Sequence, residues 1–227
     1  VRIVTGFDVI AVDRDESTGQ WFIIQRHTTD GENTPLYADY LVLATDGPTV
    51  ARLIGPHVST ALPAMEPGPE VALVTLVVDA PALDKHPRGT GLLVSEEATA
   101  VRAKALTHAT AKWQWVAEAA GPGRHVVRLS YGRGGEDSRF SEVALADEQL
   151  ITLALRDASR MMDVALTHNN LVDADVVRWR GVLPASTPGH RDRVKEFRER
   201  ASELGTLSTV GSWAAGSGLV LTVKDTY

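Results

Sequence analysis

The 227-residue sequence contains no cysteine, and this absence excludes several kinds of chemistry at once. Without cysteine there is no disulfide bond, no thiolate nucleophile and no cysteine-ligated zinc or iron–sulfur site. The chain is also short of positive charge, since 29 acidic residues outnumber 23 basic ones and give a formal net charge of -6. We therefore expect no nucleic-acid partner, because an acidic surface repels a polyanion. The lack of cysteine fits a reducing cytoplasm, which is the expected location.

The sequence also lacks a long apolar run, because no stretch approaches the roughly 20 residues that a membrane-spanning helix requires. Any membrane attachment is expected to be peripheral at most, and the absence of a basic amphipathic helix disfavours a strong one. The chain starts at Val1, without an initiator methionine or a signal-peptide pattern. We expect it to be a piece of a longer protein.

The first 45 residues are typical of β-strands. The segments "FDVIAVDRD" (7–15), "QWFIIQRH" (20–27) and "YADYLVLAT" (37–45) are rich in β-branched and aromatic residues and are separated by polar turns. A short apolar helix, "TVARLIG", is predicted next, with Asp46 or Thr49 as its amino-terminal cap.

A change of composition predicts a domain boundary near Pro63, because residues 56–70 hold four prolines. Beyond it, "VALVTLVVD" (71–79) is apolar at both its odd-numbered and its even-numbered positions, which predicts a strand covered on both faces. Three further strands are predicted at "TGLLVS", "VRAKALTH" and "RHVVRLSYG". A helix is then predicted over 146–166, with one apolar stripe made of Leu150, Ala154, Ala158, Met161 and Ala165.

The last part of the chain combines a strand, a helix and a glycine-rich end. "LVDADVVRWRGVLP" predicts a strand, and Thr187 with Pro188 predicts the cap and first turn of a helix. The buried face of that helix is predicted from Val194, Phe197, Ala201 and Leu204, and Gly205 ends it. The strand "TLSTV" follows.

The glycines of "VGSWAAGSGLVL" allow two interpretations. A glycine turn between a strand and a helix exposes backbone N–H groups and favours an anion such as a phosphate. Gly216 and Gly218 are equally well explained by close approach of another backbone segment. The other glycine cluster, "YGRGGED" (131–137), is predicted to be a hairpin or loop.

Seven histidines are scattered without the paired spacing of a metal site, so no metal is expected. His108, at a strand end, and His190, in the first turn of a helix, are candidates for a binding site. Trp113 and Trp115 share a face if "KWQW" is extended. They either form the surface on which a flat ligand stacks, or they fill the core or its rim.

Taken in order, these segments resemble the carboxyl-terminal half of the flavin-dependent porphyrinogen oxidases, the protoporphyrinogen and coproporphyrinogen oxidase family of haem biosynthesis. The resemblance covers most of the chain. It depends on "ADYLVLAT", "VALVTLVV", "GLLVSEE", "THATAKWQW", "VVRWRGVLP", "PGHRDRV" and "TVGSWAAGSGL" together.

The resemblance implies an α+β fold: part of a Rossmann-like FAD-binding domain into which a substrate domain, a largely antiparallel sheet with helices, is inserted. Residues 1–63 and 186–227 would then belong to the FAD-binding domain and residues 64–185 to the substrate-binding domain. The amino-terminal Gly-x-Gly-x-x-Gly strand and helix of the family are missing from this chain. We therefore expect the chain to bind FAD weakly or not at all without its amino-terminal half, and to be inactive alone.

The resemblance also implies cofactor contacts at Val9, at Trp179 and in the closing glycine loop of Gly216, Ser217 and Gly218. This sequence departs from many relatives at Ala185 and Ser186, where the family has Gln-Tyr after the proline.

In the family a porphyrinogen loses hydrides to the flavin, which oxygen reoxidises, and this chemistry is mainly the cofactor's. No catalytic acid or base is assigned. As a hypothesis, His108, Lys112 and Trp113 approach the substrate, because a flat macrocycle with carboxylate arms needs an aromatic surface and a cation. The alternatives are a relative among the amine oxidases or carotenoid desaturases and a non-catalytic module that binds an apolar or tetrapyrrole ligand.

Overall fold

A computed structural model of the chain describes residues 1–58, 70–132, 142–179, 187–216 and 218–226. The chain forms two units, Val1–Gly68 with Gly181–Tyr227, and Pro69–Arg180. The boundaries predicted at Pro63 and Ser186 lie outside the described residues. Among the residues that are described, no helix combines the length and the apolar character needed to cross a bilayer.

The first unit contains a three-stranded antiparallel sheet, and its core includes the fully buried Trp21. The indole Nε1 of Trp21 donates a hydrogen bond to the carbonyl oxygen of Thr206 at 3.0 Å, so the large ring is buried with its polar atom satisfied. The pairing of the first strand is irregular between Val9 and Ala11. The strands are β1 (Phe7–Arg14), β2 (Trp21–His27) and β3 (Asn33–Ala38).

The strand predicted over 37–45 is wrong as a single element. The chain bends at Asp39 and Tyr40, and β4 (Leu41–Leu43) leaves the first sheet to pair in parallel with β10 (Leu207–Thr209). The bend is needed because β3 and β4 take their backbone hydrogen bonds from different partners. The Tyr40 hydroxyl, 2.6 Å from Ser208 Oγ, adds a side-chain contact to the second pairing.

Helix α1 (Gly47–Ile54) follows β4, and its cap is Asp46, as predicted. The Asp46 carboxylate accepts hydrogen bonds from the Thr49 N–H at 3.0 Å and from the Thr49 hydroxyl at 2.8 Å. Burial alone would raise the pKa of Asp46. These hydrogen bonds and one from Thr45 together lower the pKa by more than burial raises it, so it lies below its usual value. An ionised cap also suits the positive end of the helix.

Helix α5 (His190–Ser202) begins two residues later than predicted. Its N-cap is Gly189, which has a left-handed backbone (φ 76°), rather than Thr187. The predicted buried positions Val194, Phe197 and Ala201 are confirmed, with Leu204 packed against the same core. The unit ends with the short helices α6 (Ser212–Ala215) and α7 (Leu219–Asp225).

The second unit is built on a five-stranded sheet in which every adjacent pair is antiparallel. Its order is β6-β7-β8-β5-β9. The strands are β5 (Val71–Asp79), β6 (Gly91–Leu93), β7 (Ala105–His108), β8 (Arg124–Tyr131) and β9 (Leu171–Trp179). The helices α2 (Ala109–Lys112) and α3 (Gln114–Ala120) lie between β7 and β8.

Helix α4 (Asp147–Met162) packs against this sheet through the predicted stripe of Leu150, Ala154, Ala158 and Met161. The predicted end of the helix is wrong. Asp163 adopts a left-handed conformation (φ 55°) and stops the helix. Ala165 is consequently exposed.

Strand β5 lies between β8 and β9, but the prediction that both of its faces are covered is wrong. Its even-numbered residues from Ala72 to Val78 are fully buried, whereas Val71, Leu73, Thr75 and Val77 keep partial exposure. The sheet therefore has one core face, on the side of α4, and one open face.

Candidate functional site

A cavity of about 690 Å³ in the first unit lies where α5 begins and α6 ends. It is lined by Gly189 and His190 from the start of α5, and by Trp213 and Gly216 from the end of the chain. His190 is the first residue of α5, and its Nε2 donates to the carbonyl oxygen of Trp213 at 2.7 Å. This bond ties the two segments together across the sequence and fixes one wall of the cavity.

Trp213 is anchored from its other side by the core. Its ring is 5% exposed and meets the Phe197 ring edge-on, with 5.4 Å between the ring centroids. The indole Nε1 is buried, and none of the described residues accepts a hydrogen bond from it. A buried donor without a partner costs free energy, so this N–H is a candidate contact for a ligand group that accepts hydrogen bonds.

Different physical constraints explain why glycine occupies positions 211, 216 and 218. Gly211 (φ 151°) is required by packing, because a Cβ there would lie 2.8 Å from Cδ1 of Trp213. Gly216 (φ 96°) is also in a conformation that side chains rarely adopt, but a Cβ would meet only Leu221 Cδ1, at 3.5 Å. Gly218 (φ 125°) meets no described atom within 4 Å. Crowding by the Trp213 ring therefore explains Gly211, and no comparable crowding explains Gly216 or Gly218.

Val9 lines a different cavity, of about 670 Å³, between β1, the end of β4 and the start of α1. The side chain is 41% exposed and lies next to the irregular pairing of β1 with β2. Arg52, on the same cavity, donates from Nη1 to the carbonyl oxygen of Ile10 at 3.1 Å. Val9 and Gly216 thus belong to one unit but to separate cavities, and Ser217 lies outside the described residues.

The remaining predicted cofactor contact, Trp179, lies in the second unit. It ends β9 opposite Val71 and is 51% exposed on the open face of the sheet. Trp179 was predicted as a cofactor contact from the family resemblance. Ala185 and Ser186, where the sequence departs from many relatives, lie outside the described residues.

The three residues predicted to approach the substrate do not share one environment. Lys112 and Trp113 are exposed neighbours, with Lys112 Nζ 4.8 Å from the centroid of the Trp113 ring. His108 is fully buried on the core face of the sheet, so a direct contact with substrate has no support from this arrangement. Trp113 and Trp115 are not on one extended segment, because α3 begins at Gln114.

His108 belongs to a buried polar cluster that the sequence did not reveal. Its Nε2 lies 3.0 Å from Nδ1 of His125, and Nε2 of His125 lies 2.9 Å from Oδ1 of Asp84. The Thr110 hydroxyl also reaches Nδ1 of His125, at 3.1 Å. Burial, followed by the proximity of His125 and His86, lowers the pKa of His108 to about 4. Within the described ranges, no group of three or more His, Asp or Glu residues is arranged to hold a metal ion.

No family model matches the sequence. The coproporphyrinogen III oxidase of Bacillus subtilis (strain 168) is 29% identical over 129 residues, which are 57% of this chain and 25% of that protein. The chain thus matches a quarter of its curated relative.

Solved structures give a fuller match. A putative protoporphyrinogen oxidase from Exiguobacterium sp. 255-15 has a TM-score of 0.71 and 27% identity, over 97% of this chain and 45% of that one. A reduced UDP-galactopyranose mutase has a TM-score of 0.62 at 13% identity, over 93% of this chain and 41% of that one. A redesigned putrescine oxidase has a TM-score of 0.56 at 14% identity, over 93% of this chain and 44% of that one.

The mutase and the putrescine oxidase share the fold alone, and together with the protoporphyrinogen oxidase they define its class. The predicted fold class is confirmed: α+β, with part of a Rossmann-like FAD-binding fold and an inserted unit built on a largely antiparallel sheet. Within that class, the resemblance of this chain to the flavin-dependent porphyrinogen oxidase family is confirmed by both sequence and structure.

Proposed function

We propose that this chain is the carboxyl-terminal portion of an FAD-dependent oxidase that converts a porphyrinogen into the porphyrin, with oxygen as the acceptor, in haem biosynthesis. The observation that carries the proposal is the 27% identity maintained over 97% of the chain with a putative protoporphyrinogen oxidase. A curated relative named for coproporphyrinogen III supports the same substrate class. Because the two names differ, the proposal is for the porphyrinogen class.

The first unit offers features that fit a flavin cofactor. The cavity is lined by Gly216, which has open space beside it, and by Trp213, whose buried Nε1 donor has no partner among the described residues. Donors that are not satisfied internally suit the oxygen and nitrogen acceptors of FAD. We propose Gly216, Ser217 and Gly218 as the segment nearest the cofactor, with Val9 and Trp179 as further contacts.

FAD, when bound, supplies the hydride acceptor, and the residues of this chain bind and orient the reactants around it. His190 holds the Trp213 carbonyl at 2.7 Å and so keeps Trp213 in the wall of the cavity. Helix α5 begins at the same cavity, so its positive end favours an anionic group there. The remaining contacts, including a Gly-x-Gly-x-x-Gly loop, are proposed to come from the amino-terminal half of the same polypeptide.

Measurements on the full-length polypeptide that contains this chain test the proposal. We expect the purified protein to carry FAD and to oxidise protoporphyrinogen or coproporphyrinogen with consumption of oxygen, and the 227-residue chain alone to bind FAD weakly or not at all. Gly216→Val should reduce FAD content in the full-length protein, because a branched side chain fills the open space at the cavity.

Gly31→Val is the matched control, since Gly31 has a positive φ (74°) and no described atom within 4 Å of a Cβ. A thermal melt of each variant separates loss of FAD from loss of fold. A full-length protein without flavin, or a flavoprotein that oxidises neither porphyrinogen, would contradict the proposal. A flavoprotein that oxidises an amine instead would support the amine oxidase alternative.

A further inference from the structure

The open face of the five-stranded sheet carries a cation at its centre. Arg128 is exposed in the middle of β8, the central strand, and its side chain alternates with the buried Val127 and Leu129. Its cross-strand neighbours are Thr107 on β7 and Thr75 on β5. Both neighbours are uncharged, so no acid lies directly opposite this arginine, where it would stabilise a cross-strand pair.

The next row of the same face is apolar. It contains Leu73 on β5, Val177 on β9 and Ala105 on β7, with Ser130 between them on β8. Leu93, 86% exposed, extends this row onto β6. Residues two apart on a strand are separated by roughly 6.8 Å, so this apolar row lies directly beside the guanidinium of Arg128.

Arg128 differs from the other arginines of the second unit. Arg124, on the same strand and face, is neutralised by Asp79, with its Nε 2.7 Å from Oδ1. Arg178 donates to two backbone carbonyls and to Asp147, at 2.6 to 2.9 Å. Among the described residues, none forms a hydrogen bond or an ion pair with the guanidinium of Arg128.

A free guanidinium beside an apolar row matches a definite ligand chemistry. The planar fork of arginine binds a carboxylate through two parallel hydrogen bonds, and the apolar row offers a surface on which a flat ring system can pack. Asp175 lies beyond Thr75, two strands or about 10 Å from Arg128. A carboxylate on the ligand would therefore be repelled from the β9 side and drawn towards Arg128.

We propose that Arg128 binds a carboxylate arm of the porphyrinogen and that the macrocycle lies over Leu73 and Val177. The inference deepens the proposed function and depends on it for the identity of the ligand. The cation predicted at Lys112, the last residue of α2, is thereby assigned instead to Arg128 on β8. Arg128 is thus a specificity residue that distinguishes a free acid from an ester or an amide.

Titration of the 227-residue chain with stable porphyrins tests this assignment. The probes are coproporphyrin III, which has four free carboxylates, and its tetramethyl ester, followed by Soret absorbance and fluorescence quenching. We expect the acid to bind at least tenfold more tightly than the ester. Arg128→Gln should weaken binding of the acid at least tenfold and leave the ester unchanged, and Arg128→Lys should restore part of the loss.

Arg124→Gln is the control, because it removes the same charge from the same strand and face but from a guanidinium that Asp79 already occupies. We expect it to change acid binding less than twofold. Circular dichroism melts establish that each variant is folded. Equal affinities of Arg128→Gln and the parent chain, equal losses in both arginine variants, or no binding of the acid by the parent chain would each overturn the inference.

These outcomes are separate from the flavin test. If the full-length protein carries FAD and oxidises a porphyrinogen while Arg128→Gln binds the acid normally, the assignment of Arg128 fails and the proposed function stands. If the chain binds the acid through Arg128 but the full-length protein carries no flavin, the oxidase proposal fails and the carboxylate site stands as part of a tetrapyrrole-binding module.

Discussion

His108 and His125 form a direct hydrogen bond inside the second unit, with 3.0 Å between Nε2 of His108 and Nδ1 of His125. Asp84, 2.9 Å from the other nitrogen of His125, determines the direction of the bond. Because a carboxylate accepts, His125 donates from Nε2 and accepts at Nδ1, and His108 must donate from its Nε2. This arrangement holds a neutral imidazole at a position that is completely buried.

The first prediction is that this pair makes the protein less stable in mild acid. His108 takes up a proton near pH 6.5 in the unfolded chain but only near pH 4 in the folded one. Between these values the unfolded state binds more protons, so the free energy of unfolding falls as the pH is lowered. The total loss should be up to about 3 kcal/mol, measured by urea denaturation at a series of pH values.

His108→Gln tests the assignment of this pH dependence, since glutamine can donate to His125 but does not titrate. The variant should be less stable than the parent at pH 7 and should lose less stability between pH 6.5 and pH 4. His168→Gln is the control, because His168 is exposed and lies on another segment. An unchanged pH profile in His108→Gln would show that other groups cause the acid sensitivity.

The sequence predicted the elements of this fold better than the environments of its side chains. The segment "RHVVRLSYG" was predicted as a strand and forms β8, and the helical spacing of apolar residues predicted the buried stripe of α4, because both are set by local geometry. The burial of His108 depends on three segments that meet only in the folded chain. The same holds for the division of 37–45 between two sheets, since pairing partners 165 or more residues away decide it.

In the candidate site, too, the sequence located the residues, whereas their surroundings became known only from the structure. The glycines of 211–218 were found from the sequence, but a single physical cause could not be assigned to all of them. The structure separates Gly211, which the Trp213 ring requires, from Gly216, which has space beside it. The alternation of buried and exposed residues along β8 places Arg128 on the face opposite His125, Val127 and Leu129, and the sequence carries this signal. The lack of a partner for Arg128 could be seen only once the neighbouring strands were known.

The second prediction concerns a buried carboxylate in α4. Asp157 is fully buried, and its Oδ2 accepts hydrogen bonds from the backbone N–H groups of Arg102 and Ala103, both at 2.9 Å. Asp157→Ala leaves these two donors without a partner and should lower the free energy of unfolding by about 3 kcal/mol. Asp157→Asn keeps one acceptor oxygen and should cost less.

Chemical denaturation of both variants, with the exposed Glu148→Gln of the same helix as control, measures this effect. The Asp157 carboxylate also affects Tyr131, whose hydroxyl lies 3.4 Å from Oδ2. Burial, and then this negative charge, raise the pKa of Tyr131 far above its ordinary value. A loss in Asp157→Ala no larger than that in Glu148→Gln would contradict the structural role of the carboxylate.

The third prediction is that Gly211 tolerates no side chain. Its backbone (φ 151°, ψ 167°) lies in a region that is almost restricted to glycine, and a Cβ would be 2.9 Å from Nε1 of Trp213. Gly211→Ala should therefore lower the free energy of unfolding by about 3 kcal/mol, from backbone strain and overpacking together. Gly31→Ala, with positive φ and open space, should cost about 1 kcal/mol. Equal losses in the two variants would show that Trp213 moves aside freely.

The last prediction concerns the anchoring of α7, a seven-residue helix that exposes Leu219, Val220, Leu221 and Val223. A helix this short is marginal in water without tertiary contacts. Its carboxyl end is held by Arg198 of α5, which donates to both carboxylate oxygens of Asp225 and to the carbonyl oxygen of Thr209 at 3.2 Å. The hydrogen bonds from Arg198 also lower the pKa of Asp225 below its usual value.

Arg198→Gln should release this end of the helix and increase amide hydrogen exchange across residues 219–225 by about fivefold, which corresponds to roughly 1 kcal/mol of local stability. Exchange in β1 and β2 should stay unchanged, because the loss is local. Lys195→Gln on the same helix is the control, since its 3.9 Å contact with Glu199 is an exposed pair that contributes little. Equal exchange in Arg198→Gln and Lys195→Gln would mean that packing against α6, rather than the ion pair, holds α7 in place.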